Sequence, residues 1–349
     1  MGSGRFDDSD FVRSCRGQPH PRVPVWFMRQ AGRSLPEYRA VRGSGSILEV
    51  IADPDRAAEI TLQPVRRYGV DAAILFSDIV VPAHAVGFGV DVVAGTGPVV
   101  ERPFASRADL ERLRPLDPGS DVPYVIDTVR RAVEMLDVPL IGFAGAPFTV
   151  ASYLVEGGPS RQHALTKSLM VGDEALWHEL MDRLADLAIA SLLAQVEAGA
   201  AAVQLFDSWA GALSPDQYRR SVAPHSARVL EAVGSTGVPR IHFGVGTGEI
   251  LDQMGGCGAE VVGVDFRVPI DIARQRVGPG RALQGNLDPA VVLASESAAC
   301  DAARAVLASN GGHPGFIFNL GHGVLPGSDP DVLARVVQVV HDEGQVRCE

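Results

Sequence analysis

The sequence predicts a single-domain (β/α)8 barrel of the TIM type, and three observations carry that prediction. Eight short apolar runs, rich in β-branched residues, recur along the 349 residues at 23–28, 71–76, 139–145, 201–206, 240–243, 261–266, 282–285 and 316–320. Most are continuously hydrophobic instead of alternating, as strands buried on both faces of a parallel sheet must be. The intervening stretches carry helix start and stop signals, and strands alternating with helices eight times describe a barrel better than the runner-up, a doubly wound open sheet.

The elements follow in order. Residues 1–20 read as a loosely ordered segment ahead of one catalytic domain over 21–349. After the first run, Asp53-Pro54 supplies an N-cap and a proline at the first helical position, and Gly69 closes that helix. The stretch 84–100 breaks the alternation: Gly87, Gly89, Gly95 and Gly97 surround two short apolar runs, which predicts a β-hairpin inserted after the second strand. Leu176, Leu180, Leu184, Leu187, Ala188, Leu192 and Val196 recur at three- and four-residue steps, a long amphipathic helix stopped by Gly199. Asp329-Pro330 opens a last helix that turns Leu333, Val336, Val337 and Val340 inward.

Composition removes several classes of function. With 31 Lys and Arg against 42 Asp and Glu, the formal net charge is 31 − 42 = −11, opposite to what a general nucleic-acid binder needs. No run approaches 18 uncharged apolar residues, so a membrane span is not expected, and the first twenty residues have no apolar core of a secretory signal. Cys15, Cys257, Cys300 and Cys348 form no C-x-x-C pair, which argues against a disulfide scaffold or a zinc ribbon and for a reduced, cytoplasmic chain.

A barrel builds its active site from residues just past the strand C-termini, so the run ends supply the candidates. The first gives Arg29-Gln30-Ala31-Gly32-Arg33, with Arg39 and Arg42 close behind: four arginines within fourteen residues of an acidic chain. Guanidinium forks bind carboxylate or phosphate bidentately, so a polyanionic ligand fits, unless protein carboxylates already fill the forks. Asp78 follows the apolar run Ala72-Ala73-Ile74-Leu75-Phe76 and projects from a low-dielectric wall, where it can stabilise a developing positive charge or cap the next helix. Opposite charges about 4 Å apart attract by roughly 4 kcal/mol at an effective dielectric near 20. Ala146-Pro147-Phe148, with Tyr153 a little further on, Phe206-Asp207-Ser208-Trp209 and Gly321-His322-Gly323 follow further runs; the glycines beside His322 permit close backbone approach to a ligand. Gly244-Val245-Gly246-Thr247-Gly248 lacks the Walker lysine and reads as a tight turn.

Taken together, these segments resemble the uroporphyrinogen decarboxylase family along nearly the whole chain. The resemblance rests on Met28-Arg29-Gln30-Ala31-Gly32-Arg33, Phe76-Ser77-Asp78-Ile79, Gly145-Ala146-Pro147-Phe148-Thr149 with Tyr153, Phe206-Asp207-Ser208-Trp209-Ala210-Gly211, Gln284-Gly285-Asn286-Leu287-Asp288-Pro289 and Asn319-Leu320-Gly321-His322-Gly323, in that order. It implies a cofactor-free, metal-free barrel enzyme, usually a homodimer, that removes CO2 from the four acetate arms of uroporphyrinogen III to give coproporphyrinogen III. By the same resemblance Arg29, Gln30, Ala31, Gly32, Arg33, Arg42, Phe206 and Ser208 line the substrate cleft. Asp78, Arg29, Tyr153 and His322 stand nearest the chemistry. Ser34 departs from the tyrosine common at that position. A related barrel family that transfers methyl groups with zinc carries a His-x-Cys pair where this chain has His242-Phe243-Gly244, and a non-catalytic tetrapyrrole carrier would keep the arginines without needing Asp78.

Overall fold

In the computed structural model, residues 4–32, 34–43, 45–93 and 95–347 are described. Seven of the eight apolar runs become strands, each because its side chains are buried on both faces. They are β1 (Ala73–Ile74), β4 (Leu140–Gly145), β5 (Ala202–Phe206), β6 (Arg240–Phe243), β7 (Val261–Gly263), β8 (Ala282–Leu287) and β9 (Phe316–Leu320). They form one parallel sheet in the order β1-β4-β5-β6-β7-β8-β9. Between β1 and β4 in the chain, β2 (Val90–Val93) and β3 (Gly97–Val100) pair antiparallel as a separate two-stranded sheet.

The run at 23–28 is the exception among the expected strands. Val25 makes a single parallel bridge to Phe318 of β9, the Trp26 N–H donates to the Phe318 carbonyl (3.2 Å), and the Val25 carbonyl accepts from Asp71 N–H (2.8 Å). A regular ladder is blocked chemically. Pro24 has no N–H to give, while the N–H groups of Phe27 and Met28 donate to the side-chain oxygens of Gln30 and Asn319, at 3.0 Å each. The segment thus lies against β9 on one side and the approach to β1 on the other, without being a strand.

The helices keep the ends the sequence signals. Pro54–Tyr68 is capped by the Asp53 carboxylate, which accepts from Arg56 N–H at 3.2 Å, and ends at Gly69 with φ 70°. Glu174–Glu197 and Pro330–Glu343 cover the sheet with the expected leucine and valine stripes. Within 1–20, Asp10–Cys15 is a helix whose Phe11, Val12 and Cys15 are buried, with the Ser14 hydroxyl donating to the Phe316 carbonyl of β9 (2.9 Å). That part of the N-terminal segment is held by apolar burial, where the sequence reading expected loose order.

Polar groups also enter the sheet interior. Trp26 Nε1 donates to Gln284 Oε1 (3.0 Å), and Gln284 Nε2 donates to Gln204 Oε1 (2.9 Å), both glutamines lying on strands. This chain of bonds ties the 23–28 segment to β8 and β5 and satisfies both polar ends of the Gln284 amide, while Gln204 Nε2 has no partner among the described residues.

Candidate active site

The strand ends converge at one mouth, and Arg29 is held there by an unusual backbone. Its φ is 57°, in the left-handed region that non-glycine residues seldom enter, and its side chain is exposed. The turn is fixed from behind: Gln30 is fully buried, accepts from Phe27 N–H and donates its amide to the Ala72 carbonyl (3.1 Å) beside β1. Gln30, expected in the cleft, is therefore part of its wall. Gly323 packs on the arginine stem so closely that a Cβ there would lie 2.5 Å from Arg29 Cδ. Gly321 likewise admits the backbone of Phe266, its would-be Cβ falling 2.2 Å from that nitrogen. The glycines flanking His322 thus serve contacts within the protein.

Among the described residues no carboxylate is within ion-pair distance of Arg29, so its fork is not filled by the protein. Ala31 and Gly32 beside it are half-buried. Arg33 lies outside the described residues. Arg42 ends the helix Pro36–Arg42 and donates to the Gly43 carbonyl at 3.4 Å; Arg39, on the same helix, is exposed.

Arg29 shares one electrostatic neighbourhood with Asp78, Tyr153 and His322. Burial raises the Asp78 carboxyl above the usual carboxylate range, opposed by the N–H groups of Val80 and Ile79 and by Arg29. Asp78 Oδ1 accepts from Val80 N–H at 3.0 Å, so it closes a local turn and does not cap the next helix, Val81–Ala85. The Tyr153 hydroxyl is pushed up by burial and by the Asp78 charge, and eased by a bond from Trp209 and by Arg29. The His322 imidazole is held below its ordinary value by burial, then by Arg29 and Arg267, against the pull of Asp265. Its Nδ1 accepts from Gly323 N–H (2.7 Å), which puts the proton of the neutral ring on Nε2. His322 is arranged as a neutral donor.

Phe206, half-buried, packs edge-on between Phe143 (5.5 Å between ring centres) and Phe243 (6.1 Å). Ser208 and Trp209 line a cavity of about 590 Å³ together with Arg161, His163, Gly246 and Arg267. The sequence reading named Trp209 only as a neighbour of Ser208 and Gly246 only as part of a tight turn, and missed Arg161, His163 and Arg267. Arg267 was within reach of it, two residues past Asp265 at the end of a run. Arg161 carries no signal in a single sequence.

Behind the Ser208–Trp209 turn lies a sealed polar cluster. Asp207 and His242 are fully buried, with His242 Nε2 3.7 Å from Asp207 Oδ2. Thr149 donates to Asp207 Oδ1 (3.1 Å) and accepts from Trp209 N–H (3.2 Å). Burial opposes the charge on His242, but the neighbouring Asp207 and Cys257 outweigh it and raise its pKa to about 9, although neither ring nitrogen makes a hydrogen bond among the described residues. The Cys257 thiol, beside this imidazole, also points at the carbonyls of Gln253 (3.3 Å) and Ala223 (3.6 Å). Among the described residues no set of three His, Cys, Asp or Glu side chains is grouped to hold a metal ion. Nor is any helix among them long and apolar enough to cross a membrane.

The family model and the similar named relatives agree on one family. Residues 7–343 match the family model described as uroporphyrinogen decarboxylase (URO-D). A Salinispora tropica protein named uroporphyrinogen decarboxylase is 61% identical over 336 residues, covering 96% of this chain and 90% of the relative. One of the same name from Streptomyces coelicolor is 60% identical over 337 residues (96% and 95%), and one from Mycobacterium tuberculosis is 57% identical over 347 residues (95% and 97%). Among solved structures, a methyltransferase from Methanosarcina mazei superposes with a TM-score of 0.74 at 20% identity, over 95% of this chain and 97% of that one. At that identity the likeness shows the fold alone.

Proposed function

Because the chain belongs to the uroporphyrinogen decarboxylase family, we infer that it is a carboxy-lyase that removes CO2 from the four acetate arms of uroporphyrinogen III, giving coproporphyrinogen III for haem biosynthesis. The observation that carries the site assignment is Arg29: a strained, exposed guanidinium, unpaired among the described carboxylates, beside the half-buried Asp78.

Direct loss of CO2 from an acetate arm would leave an unstabilised carbanion, so the pyrrole must first become an electron sink. Protonation at a ring carbon gives an iminium-like cation. The C–CO2 bond then breaks, its electron pair neutralises the ring, and reprotonation of the exocyclic carbon with loss of the ring proton yields a methyl group. The sink is the substrate's own ring, so no step is assigned to a metal or cofactor.

In this reading Asp78 faces the pyrrole NH groups and stabilises the cation, and the incoming positive charge favours its ionised form. Arg29, with Arg33 and Arg42, orients substrate carboxylates. His322 donates from Nε2 as a neutral ring, Tyr153 supplies a hydroxyl held protonated, and Ala31, Gly32, Gln30, Phe206 and Ser208 shape the cleft. The 23–28 segment takes the eighth position of a closed barrel within one domain over 21–349, and the β2–β3 pair is an insertion on it. Its bonds to β9 and Asp71 support that closure. The enzyme works as a cytoplasmic homodimer.

The test is anaerobic incubation of chelator-treated protein with uroporphyrinogen III, followed by oxidation and chromatographic counting of carboxylates. Loss from eight to four is expected. Bound substrate that keeps all eight would mark a carrier and overturn the reading.

A further inference from the structure

The cavity beside Ser208 is cationic in a chain of net charge −11. Arg161 projects into it from the loop after Gly157 and Gly158, is exposed, and has no ion pair among the described residues. Arg267 reaches it from the end of β7. Asp265, only 2% exposed, fixes Arg267 from beneath through the backbone N–H (2.9 Å) and one guanidinium nitrogen (2.6 Å), while Phe266 lies under the guanidinium at 4.5 Å. The remaining guanidinium N–H groups are left to face outward, and the side chain stays 53% exposed.

Acidic groups close by are already engaged: Asp265 also accepts from Gly246 N–H, and Glu156 accepts from the Thr166 backbone (2.8 Å) and hydroxyl (2.9 Å). The chamber adjoins the catalytic groups. Trp209 lines it, with its ring 5.9 Å from that of Tyr153 and 5.4 Å from that of His163, and the Arg267 charge is felt at His322.

We propose that Arg161 and Arg267 form a second carboxylate-binding chamber, which holds the unreacting carboxylate arms of the tetrapyrrole while the reacting ring lies at Asp78. This rests on the functional reading above and extends it to residues with no role in it. A substrate with eight carboxylates exceeds what Arg29 and its neighbours can pair, and two guanidinium forks opposite a fixed ring would set which face and which arms enter.

The experiment is steady-state turnover of uroporphyrinogen III by Arg161→Gln, Arg161→Lys and Arg267→Gln at low and high salt, beside fluorescence titration with uroporphyrin III, the oxidised ring bearing the same carboxylates. Arg161→Gln should lower kcat/KM roughly fivefold, chiefly through KM, with a smaller effect at high salt, and Arg161→Lys should recover most of it. The uroporphyrin Kd should rise in parallel. A KM and Kd of Arg161→Gln equal to wild type at low salt would overturn the chamber. If wild-type protein binds uroporphyrin but releases no CO2, the decarboxylase reading fails instead, and the Kd of the variants still decides this one.

Discussion

The buried pair behind the Ser208–Trp209 turn makes a quantitative prediction about alkaline stability. His242 has an ordinary pKa of 6.5 and is raised to about 9 in the folded chain, where Asp207 and Cys257 outweigh its burial. At about 1.4 kcal/mol for each pH unit of displacement, the imidazolium contributes roughly 3 kcal/mol to folding. Because the folded value lies above the unfolded one, the native state binds the proton more tightly. The contribution is complete below pH 6.5 and disappears as pH rises through about 9. Thermal melts between pH 6 and pH 10 should therefore show wild type losing several degrees across this window. His242→Gln alone would leave the buried Asp207 side chain without its neighbour, so the cleaner control is Asp207→Asn combined with His242→Gln. That double variant should fold and lack the alkaline step. Equal pH dependence in wild type and the double variant would refute a charged His242 in the folded chain.

Asp78→Asn should remove most turnover, about a hundredfold or more by product chromatography, and raise the melting temperature at neutral pH. The sign follows from a carboxyl whose pKa is raised on folding: its ionised form destabilises the native state above that pKa, and asparagine carries no such charge. Near-normal turnover would take Asp78 out of the mechanism. Gly323→Ala places a methyl group 2.5 Å from Arg29 Cδ, so it should cost about 1–3 kcal/mol of stability and raise KM by displacing the guanidinium; a wild-type KM would contradict the placement of Arg29. His322→Asn keeps a neutral donor and should retain more activity than His322→Ala, whereas equal losses would show that a titrating ring is required.

Strand positions were legible because parallel strands buried on both faces leave continuous apolar runs, and helix ends because Asp53-Pro54 and Gly69 carry their signals locally. What one sequence could not reveal was how hydrogen-bond donors are allotted. Residues 23–28 read as a strand, yet Gln30 and Asn319 take two of its backbone donors, and Asn319 lies nearly three hundred residues away. Asp78 and His322 were legible as ends of runs and Tyr153 as a residue a little past one; their mutual charge effects were not, since these depend on how strand ends converge. The Asp207–His242 contact joins consecutive strands of the sheet, but its sealing from water comes from packing that no local pattern encodes.

The irregular 23–28 segment is bonded to the last strand of the parallel sheet on one side and to the approach to the first on the other, and the turn it runs into carries Arg29. Few main-chain bonds hold that segment to its neighbours, and its exposed arginine makes no ion pair among the described residues. Under the proposed role of Arg29, a substrate carboxylate docking there adds a crosslink at this sparsely bonded joint. Ligand capture and tightening of that joint then become a single equilibrium: an anion that settles on Arg29 also slows the local opening of the molecule.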